Sequence, residues 1–344
     1  MKKNIDLNDK TILVTGSSGF IGSFLCKRLL KETNSLIIGL DNMNNYYDVK
    51  LKEYRLNELN KYEKYKFIKG NLVNKELIIN IFNKYKPNIV VNLAAQAGVR
   101  YSIDHPDEYI ESNIIGFYNI LEACKDNPVE HLIFASSSSV YGSSTKAPFN
   151  ENNKIDKPVS LYAATKASNE LLAHAYSKLY KIPTTGLRFF TVYGPSGRPD
   201  MAYFDFTNKL VRGEKIKIYN YGKCKRDFTY IDDIIEGIIR IIKKAPIKTP
   251  TEVPYSIYNI GNSKPVELMK FVGILKDELI KERLIKNNFD IDSHIELLPM
   301  QPGDVIITYA DTSSLEKDFN FKPSTSLREG LKRFIKWYKE YYKD

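Results

Sequence analysis

The stretch Thr11-Ile12-Leu13-Val14-Thr15-Gly16-Ser17-Ser18-Gly19-Phe20-Ile21-Gly22 decides the fold. Thr11–Val14 is a short apolar strand, Thr15–Gly22 a glycine-rich turn, and from Phe20 the apolar residues Ile21, Phe24, Leu25 and Leu29 recur at helical spacing. Strand, glycine turn and helix in this order form the context of a dinucleotide fingerprint. Gly16 would permit the tight turn, Gly19 would let the backbone approach a pyrophosphate, and Gly22 would allow helix–strand packing. The helix N-terminus adds N–H donors and its dipole. The spacing is Gly-x-x-Gly-x-x-Gly rather than Gly-x-Gly-x-x-Gly, and a glycine triplet alone recurs in turns that hold no ligand.

Working outward, the next strand, Leu36–Leu40, ends in Asp41-Asn42. An acidic residue about 20 positions past the last glycine is where adenosine ribose hydroxyls are held, and its charge repels a ribose phosphate, favouring NAD over NADP. Strands and helices then alternate: Tyr65–Lys69, a helix from Lys75, Ile89–Leu93, a long helix from about Asp107, and His131–Ala135. This alternation predicts an α/β fold with a doubly wound parallel sheet. Ligands of such sheets bind beyond the carboxyl ends of the strands, and Gly16, Asp41, Asn71, Ala94 and Ser137 all stand at such ends.

The segment FASSSSVYG (134–142) followed by LYAATK (161–166) is where chemistry is expected. Tyr162 and Lys166 are one helical turn apart, so the cation should lie near the phenol and draw its pKa down from about 10. Tyr162 then becomes a general base, with a serine hydroxyl sharing its proton. Tyr-x-x-x-Lys by itself is common on amphipathic helices. Its place at the end of the same sheet as the glycine turn is what selects the catalytic reading.

The chain has 344 residues, 43% of them hydrophobic, and a net charge of +10 drawn mostly from lysine. That is enough for one large α/β unit or two modest domains with an ample core. The charge suits an anionic substrate, and with no arginine-rich arm or finger motif, nucleic acid is not expected as a partner. Cys26, Cys124 and Cys224 show neither metal-ligand spacing nor a disulfide framework, and the histidines are scattered; no metal site is assigned. MKKNIDLNDK lacks the apolar core of a signal peptide and no run approaches the roughly 20 residues of a membrane span, so a cytoplasmic location with no membrane association is expected. Past Leu161–Tyr180 and Thr184–Phe189 comes the loop FTVYGPSGRPDMA. Helices are then predicted at Tyr203–Arg212, Asp232–Lys244, Pro265–Ile280 and Ser326–Tyr342, with short strands at Lys217–Tyr219 and Ser256–Ile260. This suggests residues 1–190 as a Rossmann domain and 191–344 as a smaller, interwoven substrate domain.

The motifs TGSSGFIG, NLAAQAGV, SSSSVYG, YAATK, LRFFTVYGP and RDFTYIDD together resemble the extended short-chain dehydrogenase/reductases, in particular their nucleotide-sugar epimerases and dehydratases. The resemblance runs from Lys10 to the C-terminus, and the family's own glycine spacing accounts for the variant turn. Within it, DNMNNYYDVKLKEYRL, AAQAGVRYS, LRFFTVYGPSGRPDMA, YNYGKCKRDFTYIDD and MQPGDVIITYADTSSL look like the UDP-glucuronate 4-epimerase subgroup. The resemblance implies a triad of Ser137, Tyr162 and Lys166, with Lys166 also on the nicotinamide ribose. It implies NAD contacts from Gly16, Gly19, Phe20, Ile21, Gly22, Asp41, Asn42, Leu72 and Ala94. Asn71 stands where the family has Asp beside the adenine amine. For the UDP-sugar, it implies Arg226 on the diphosphate, Tyr219 stacked on uracil and Asp304 on the ribose. Gln301 replaces the second diphosphate arginine of galactose-type enzymes.

The implied reaction removes the sugar 4-hydroxyl proton to Tyr162 while hydride passes to NAD⁺, lets the 4-keto sugar turn over, and returns hydride to its other face. Dehydratases and uronate decarboxylases carry an acid just after the triad serine, where this chain has Ser138 and Ser139. Those two, with Thr191 and Arg198, are implied to hold a uronate carboxylate without activating it. The expected substrate is UDP-glucuronate, and its product would enter polysaccharide biosynthesis. A 4-epimerase of another UDP-sugar, a UDP-glucuronate decarboxylase and a non-catalytic NAD-binding relative are the alternatives. The helices Asp107–Asp126 and Leu161–Tyr180 are those that such proteins use to form homodimers.

Overall fold

The computed structural model describes residues 2–143, 146–249, 252–301 and 303–343. Its centre is a seven-stranded sheet formed by β1 (Thr11–Thr15), β2 (Leu36–Asp41), β3 (Tyr65–Lys69), β4 (Ile89–Asn92), β5 (His131–Ser137), β6 (Thr184–Phe189) and β7 (Tyr255–Ile260). The order is β7-β6-β5-β4-β1-β2-β3 and every neighbouring pair is parallel. This is the doubly wound Rossmann arrangement, with its switch point between β1 and β4.

Both faces of the sheet are covered, so its inner strands β1, β2 and β4 are buried almost throughout rather than alternating, while the edge strand β3 keeps two lysines. Ile12 and Val14 of β1, Ile37 of β2 and Ile133 of β5 face one core, shared with Leu25 and Leu29 of α1 (Phe20–Glu32). Leu13, Ile38, Val90, Leu132 and Phe134 face the other. That second core also holds Ile78, Ile81 and Phe82 of α3 (Lys75–Tyr85) and Phe117, Ile120 and Leu121 of α4 (Gly116–Asp126). Successive side chains of one strand thus serve opposite layers. Between α1 and α3 lies α2 (Val49–Leu59), which the sequence reading does not mark as a helix.

The second half of the chain contributes directly to this sheet. The strand foreseen at Ser256–Ile260 is β7, paired in register with β6 from Tyr255↔Thr184 to Ile260↔Phe189. After α5 (Leu161–Tyr180) and α6 (Ala202–Val211), the isoleucine-rich α7 (Ile231–Ile242) packs against α1, closing the first core. The remainder forms small two-stranded pieces: Thr191–Tyr193 with Phe228–Tyr230, Ile216–Ile218 with Ile295–Leu297, and Lys225–Arg226 with Val266–Glu267. That last pair displaces the helix start predicted at Pro265, and α8 begins at Leu268 and runs to Lys281. α9 (Ser313–Phe319) and α10 (Leu327–Tyr341) complete the chain.

The helix predicted from Asp107 is interrupted. Pro106–Tyr109 is α-helical, Ile110–Ile115 widens to a π-turn, and α4 resumes at Gly116. π-Bulges of this kind re-aim one side chain at a functional site; here it is Asn113.

Candidate active site

A cavity of about 450 Å³ lies beyond the carboxyl ends of the strands, reaching from the glycine turn to the loops of the second half. At the first end, Gly16 has φ +70°, and a Cβ there would lie 2.8 Å from the Ala94 backbone N. A Cβ on Gly22 would lie 2.1 Å from the Gly16 carbonyl O, so this glycine lets α1 fold back over its own turn rather than pack on a strand. No side chain caps the start of α1 at Gly19, which leaves first-turn N–H groups facing the cavity beside Phe20 and Ile21. Asp41 ends β2, with Oδ2 accepting from Ser18 N at 3.0 Å and Oδ1 from Met43 N at 2.9 Å; the acid therefore also fastens the glycine turn. Asn42, Asn71 and Leu72 line the same end, the Asn71 Oδ1 closing a turn on Val73 N at 3.2 Å. A turn with no room for side chains, open helix N–H groups and a carboxylate at the next strand end fit a dinucleotide.

Further along, β5 delivers Ser137 and α5 delivers Tyr162 and Lys166 to the same wall. Ser137 Oγ accepts from Ser139 N at 3.2 Å and Ser139 Oγ at 2.9 Å, and it faces the Tyr162 phenol closely enough to favour phenolate. The expected effect of Lys166 on Tyr162 is not what the structure contains. Burial raises the phenol pKa, and the groups opposing that rise are the Ser137 hydroxyl and the Arg198 guanidinium. The Lys166 ammonium turns to the end of β5, donating to Ala135 O at 2.9 Å, and burial drops its pKa to about 8. Spacing of i, i+4 puts two side chains on one face, but the tips of long side chains follow their hydrogen bonds.

Beneath the triad runs a buried polar chain. Ser136 Oγ donates to Glu170 Oε1 at 2.5 Å, and Glu170 takes Arg188 on both oxygens, Nε at 2.9 Å and Nη2 at 2.7 Å. Arg188 Nη1 donates to Tyr141 Oη at 3.0 Å, which donates to Asn259 Oδ1 at 2.6 Å. This network joins β5, α5, β6 and β7 under Ser137. The π-turn does the same from the side: Gln96 N donates to Asn113 Oδ1 at 2.8 Å, and Asn113 Nδ2 donates to Gln96 O at 3.0 Å and Thr165 Oγ1 at 3.1 Å.

In the second half, Ser138, Ser139, Thr191, Arg198, Arg226 and Asp304 all line the cavity. Arg198 is paired side-on with Asp200, Nε to Oδ1 at 3.0 Å and Nη2 to Oδ2 at 2.5 Å, and Tyr46 Oη donates to the same Oδ2 at 3.1 Å. Arg226 leans on the carbonyls of Lys225 and Ile306, at 3.0 and 3.3 Å. The following residue, Asp227, is fully buried and accepts from the backbone N of Asn262, Ser263 and Ala310 at 2.9–3.0 Å, tying together the loops that flank Arg226. Tyr219 departs from expectation: it does not line the cavity, and its ring carries the Arg100 guanidinium at 4.6 Å. Arg100 in turn donates to Asp304 Oδ2 at 2.9 Å. Both sides of that clasp lie in loops separated by 204 residues, so sequence spacing gives no sign of it. Gln301 is off the cavity wall and its Oε1 is buried without a partner among the described residues.

The family description that matches this chain, over residues 12–261, is the NAD dependent epimerase/dehydratase family. The chain belongs to this family. Relatives in it include the Protein CapI of Staphylococcus aureus, 51% identical over 96% of this chain and 99% of that protein, and a probable UDP-glucuronate 4-epimerase of Rhizobium meliloti, 42% identical over 96% and 97%. Among solved structures, the UDP-glucuronic acid 4-epimerase of Bacillus cereus in complex with UDP-glucuronic acid and NAD superposes with a TM-score of 0.85. It is 32% identical and the match covers 96% of this chain and all of that one.

After Ser137 the cavity wall continues with Ser138 and Ser139, two hydroxyl-bearing residues and no carboxylic acid. Residues the sequence reading did not single out, and which the fold brings to the site, are Lys52, Tyr46, Gln96, Arg100, Asn113 and Asp200. Most act through partners distant in sequence, and only the long-range contact marks them.

Proposed function

We propose that this protein is an NAD-dependent isomerase that interconverts UDP-glucuronate and UDP-galacturonate at C4 through a transient 4-keto sugar. The observation that carries this reading is one cavity wall holding Ser137, Tyr162 and Lys166 next to Arg198, with hydroxyls and no acid after the triad serine. The likeness to UDP-glucuronate 4-epimerases over nearly the whole chain supports it. Bound NAD supplies the acceptor and donor for the C4 hydride. Tyr162 takes the 4-hydroxyl proton, with Ser137 sharing it, and returns it after the sugar has turned. Lys166, on this reading, bonds the nicotinamide ribose. At about 8 its pKa leaves it charged at neutral pH, and it loses that charge as pH rises above 8.

The 4-keto uronate is a β-keto acid and loses CO₂ when its carboxylate is desolvated or protonated. Ser138, Ser139, Thr191 and Arg198 would hold that carboxylate in hydrogen bonds throughout. Because Asp200 already fixes the Nε edge of Arg198, the guanidinium presents its other edge in a set orientation. Arg198→Ala is expected to lower kcat/KM for UDP-glucuronate about 10- to 100-fold, the worth of a charge-assisted pair, while UDP affinity stays within a few-fold. Steady-state kinetics with UDP as competitive inhibitor separates the two. For the reaction itself, the purified protein incubated with UDP-glucuronate should form UDP-galacturonate by NMR, and exclusive formation of a UDP-pentose would replace this reading with decarboxylation.

Residues 1–190 would hold NAD and 191–344 the UDP-sugar, with Arg226 on the diphosphate, Asp304 on the ribose, and β7 and α7 tying the two parts together. On this assignment uracil would have to share the Tyr219 ring with Arg100 or displace it. A homodimer is supported by exposed apolar residues on the predicted interface helices: Ile110, Ile115 and Tyr118 on one, Leu171 and Leu179 on the other. Light scattering at micromolar concentration should give twice the chain mass of 39.6 kDa, and a monomer would count against it. No helix among the described residues is long and apolar enough to cross a membrane, and the three cysteines are buried and unpaired, which suits a reducing cytoplasm; a place in polysaccharide biosynthesis follows only from the proposed product.

A further inference from the structure

Helix α2 carries two cations into the interior, and among the described residues neither is in an ion pair. Arg55, 3% exposed, is fully used: it donates to Ser18 O at 3.1 Å, Tyr47 Oη at 2.7 Å, Ser196 O at 2.6 Å and Gly197 O at 2.8 Å. It staples the glycine turn to the loop ahead of Arg198. Lys52, 4% exposed, is not so provided for. Its Nζ reaches only Asn44, at 2.7 Å from the carbonyl O and 2.5 Å from Oδ1, and lies 4.9 Å from the centre of the Tyr47 ring. Among the described residues it makes no ion pair; burial opposes its charge, the Asp41 carboxylate favours it without touching it, and the Arg55 and Arg198 guanidinium groups oppose it.

Lys52 lines the cavity, and the group that orients its acceptor does too. Asn44 Nδ2 donates to Gln96 Oε1 at 3.3 Å, which leaves the Gln96 Nε2 amide buried with no hydrogen-bond partner among the described residues. An ammonium and an amide donor, both short of acceptors, therefore sit on two residues that border one space. Donors in excess, with a full positive charge, describe a site for an anion. The cavity they border runs on to Gly16, Gly19 and Asp41, and Asp41 is near enough to act on the Lys52 charge, which favours the cofactor end.

We propose that Lys52 is the charged anchor of the cofactor's diphosphate, with the Gln96 amide as a second donor. The inference rests on the reading that the cavity holds NAD. The open N–H groups at the start of α1 supply only a dipole to a group bearing two negative charges, and Lys52 supplies a whole charge. This gives α2 a purpose that its apolar pattern does not.

The test compares the nucleotide-free wild type, Lys52→Met and Lys52→Arg by calorimetric titration with NAD, ADP, adenosine and UDP. Lys52→Met should weaken NAD and ADP about 10- to 100-fold and leave adenosine and UDP unchanged, with Lys52→Arg recovering most of the loss. Without ligand, the Met variant should melt no lower than the wild type, since it removes a buried charge that has no ion-pair partner among the described residues; a purely structural lysine would lower it. Equal losses for adenosine and ADP would move Lys52 to the ribose, a loss for UDP would move it to the substrate, and unchanged NAD affinity would remove it from the site; each overturns the proposal. A wild type that binds neither NAD nor ADP would instead bring down the cofactor reading, and this proposal with it.

Discussion

Tyr162→Phe is expected to reduce turnover of UDP-glucuronate by about 10²- to 10⁴-fold, the range for removing a general acid–base group. The substitution deletes one oxygen and little else. The ring would keep its edge-on packing against Tyr109, whose centroid is 6.0 Å away, so the wall should hold its shape. The Ser137 hydroxyl and the Arg198 guanidinium both act on the lost oxygen, which is why its removal should be felt in kcat more than in KM. NAD and UDP binding by titration should be unchanged. Activity above about a tenth of wild type would show that another group takes the proton.

Glu170→Ala should cost about 3–5 kcal/mol of folding stability, because it leaves the Arg188 guanidinium buried without its carboxylate. Arg188 and Glu170 are 3% and 4% exposed, so solvent offers neither a substitute. Ser136 loses its acceptor and Arg188 its two-point fork in the same change, and both lie directly behind Ser137. Equilibrium urea unfolding measures the loss. Substitution of both residues by apolar ones of similar volume should recover part of it, whereas a single-variant cost below about 1 kcal/mol would mean that water or rearrangement replaces the pair.

Much of this fold was legible in the sequence for a physical reason. Thr11–Gly22, the acid Asp41 and the strand-end residues Asn71, Ala94 and Ser137 are tied to local backbone chemistry, and local patterns survive in a linear reading. The alternation of strands and helices from Thr11 to Ala135 announced a doubly wound parallel sheet. β7 was visible as a strand, but its partner, β6, lies 71 positions upstream from Tyr255 to Thr184, and pairing over that separation leaves no local sign. The π-turn at Ile110–Ile115 is not separable from continuous helix in the sequence because a single wider turn uses no residue types of its own. At the site, Ser137, Tyr162, Lys166, Arg198 and Arg226 were named from motifs. Where their tips go depends on distant partners: Lys166 on Ala135, Arg198 on Asp200, and Tyr219 on Arg100. α2 escaped notice because Lys52 and Arg55, two residues that usually mark a solvated face, point inward here.

The central claim is that the sugar is oxidised at C4 and reduced again at the same carbon, returned intact. UDP-glucuronate carrying deuterium at C4, incubated with the protein and NAD⁺ and followed by NMR and mass spectrometry, tests this directly. The account predicts UDP-galacturonate that keeps its deuterium at C4 and its carboxylate. Product with hydrogen at C4, or a UDP-pentose with loss of CO₂, would contradict it.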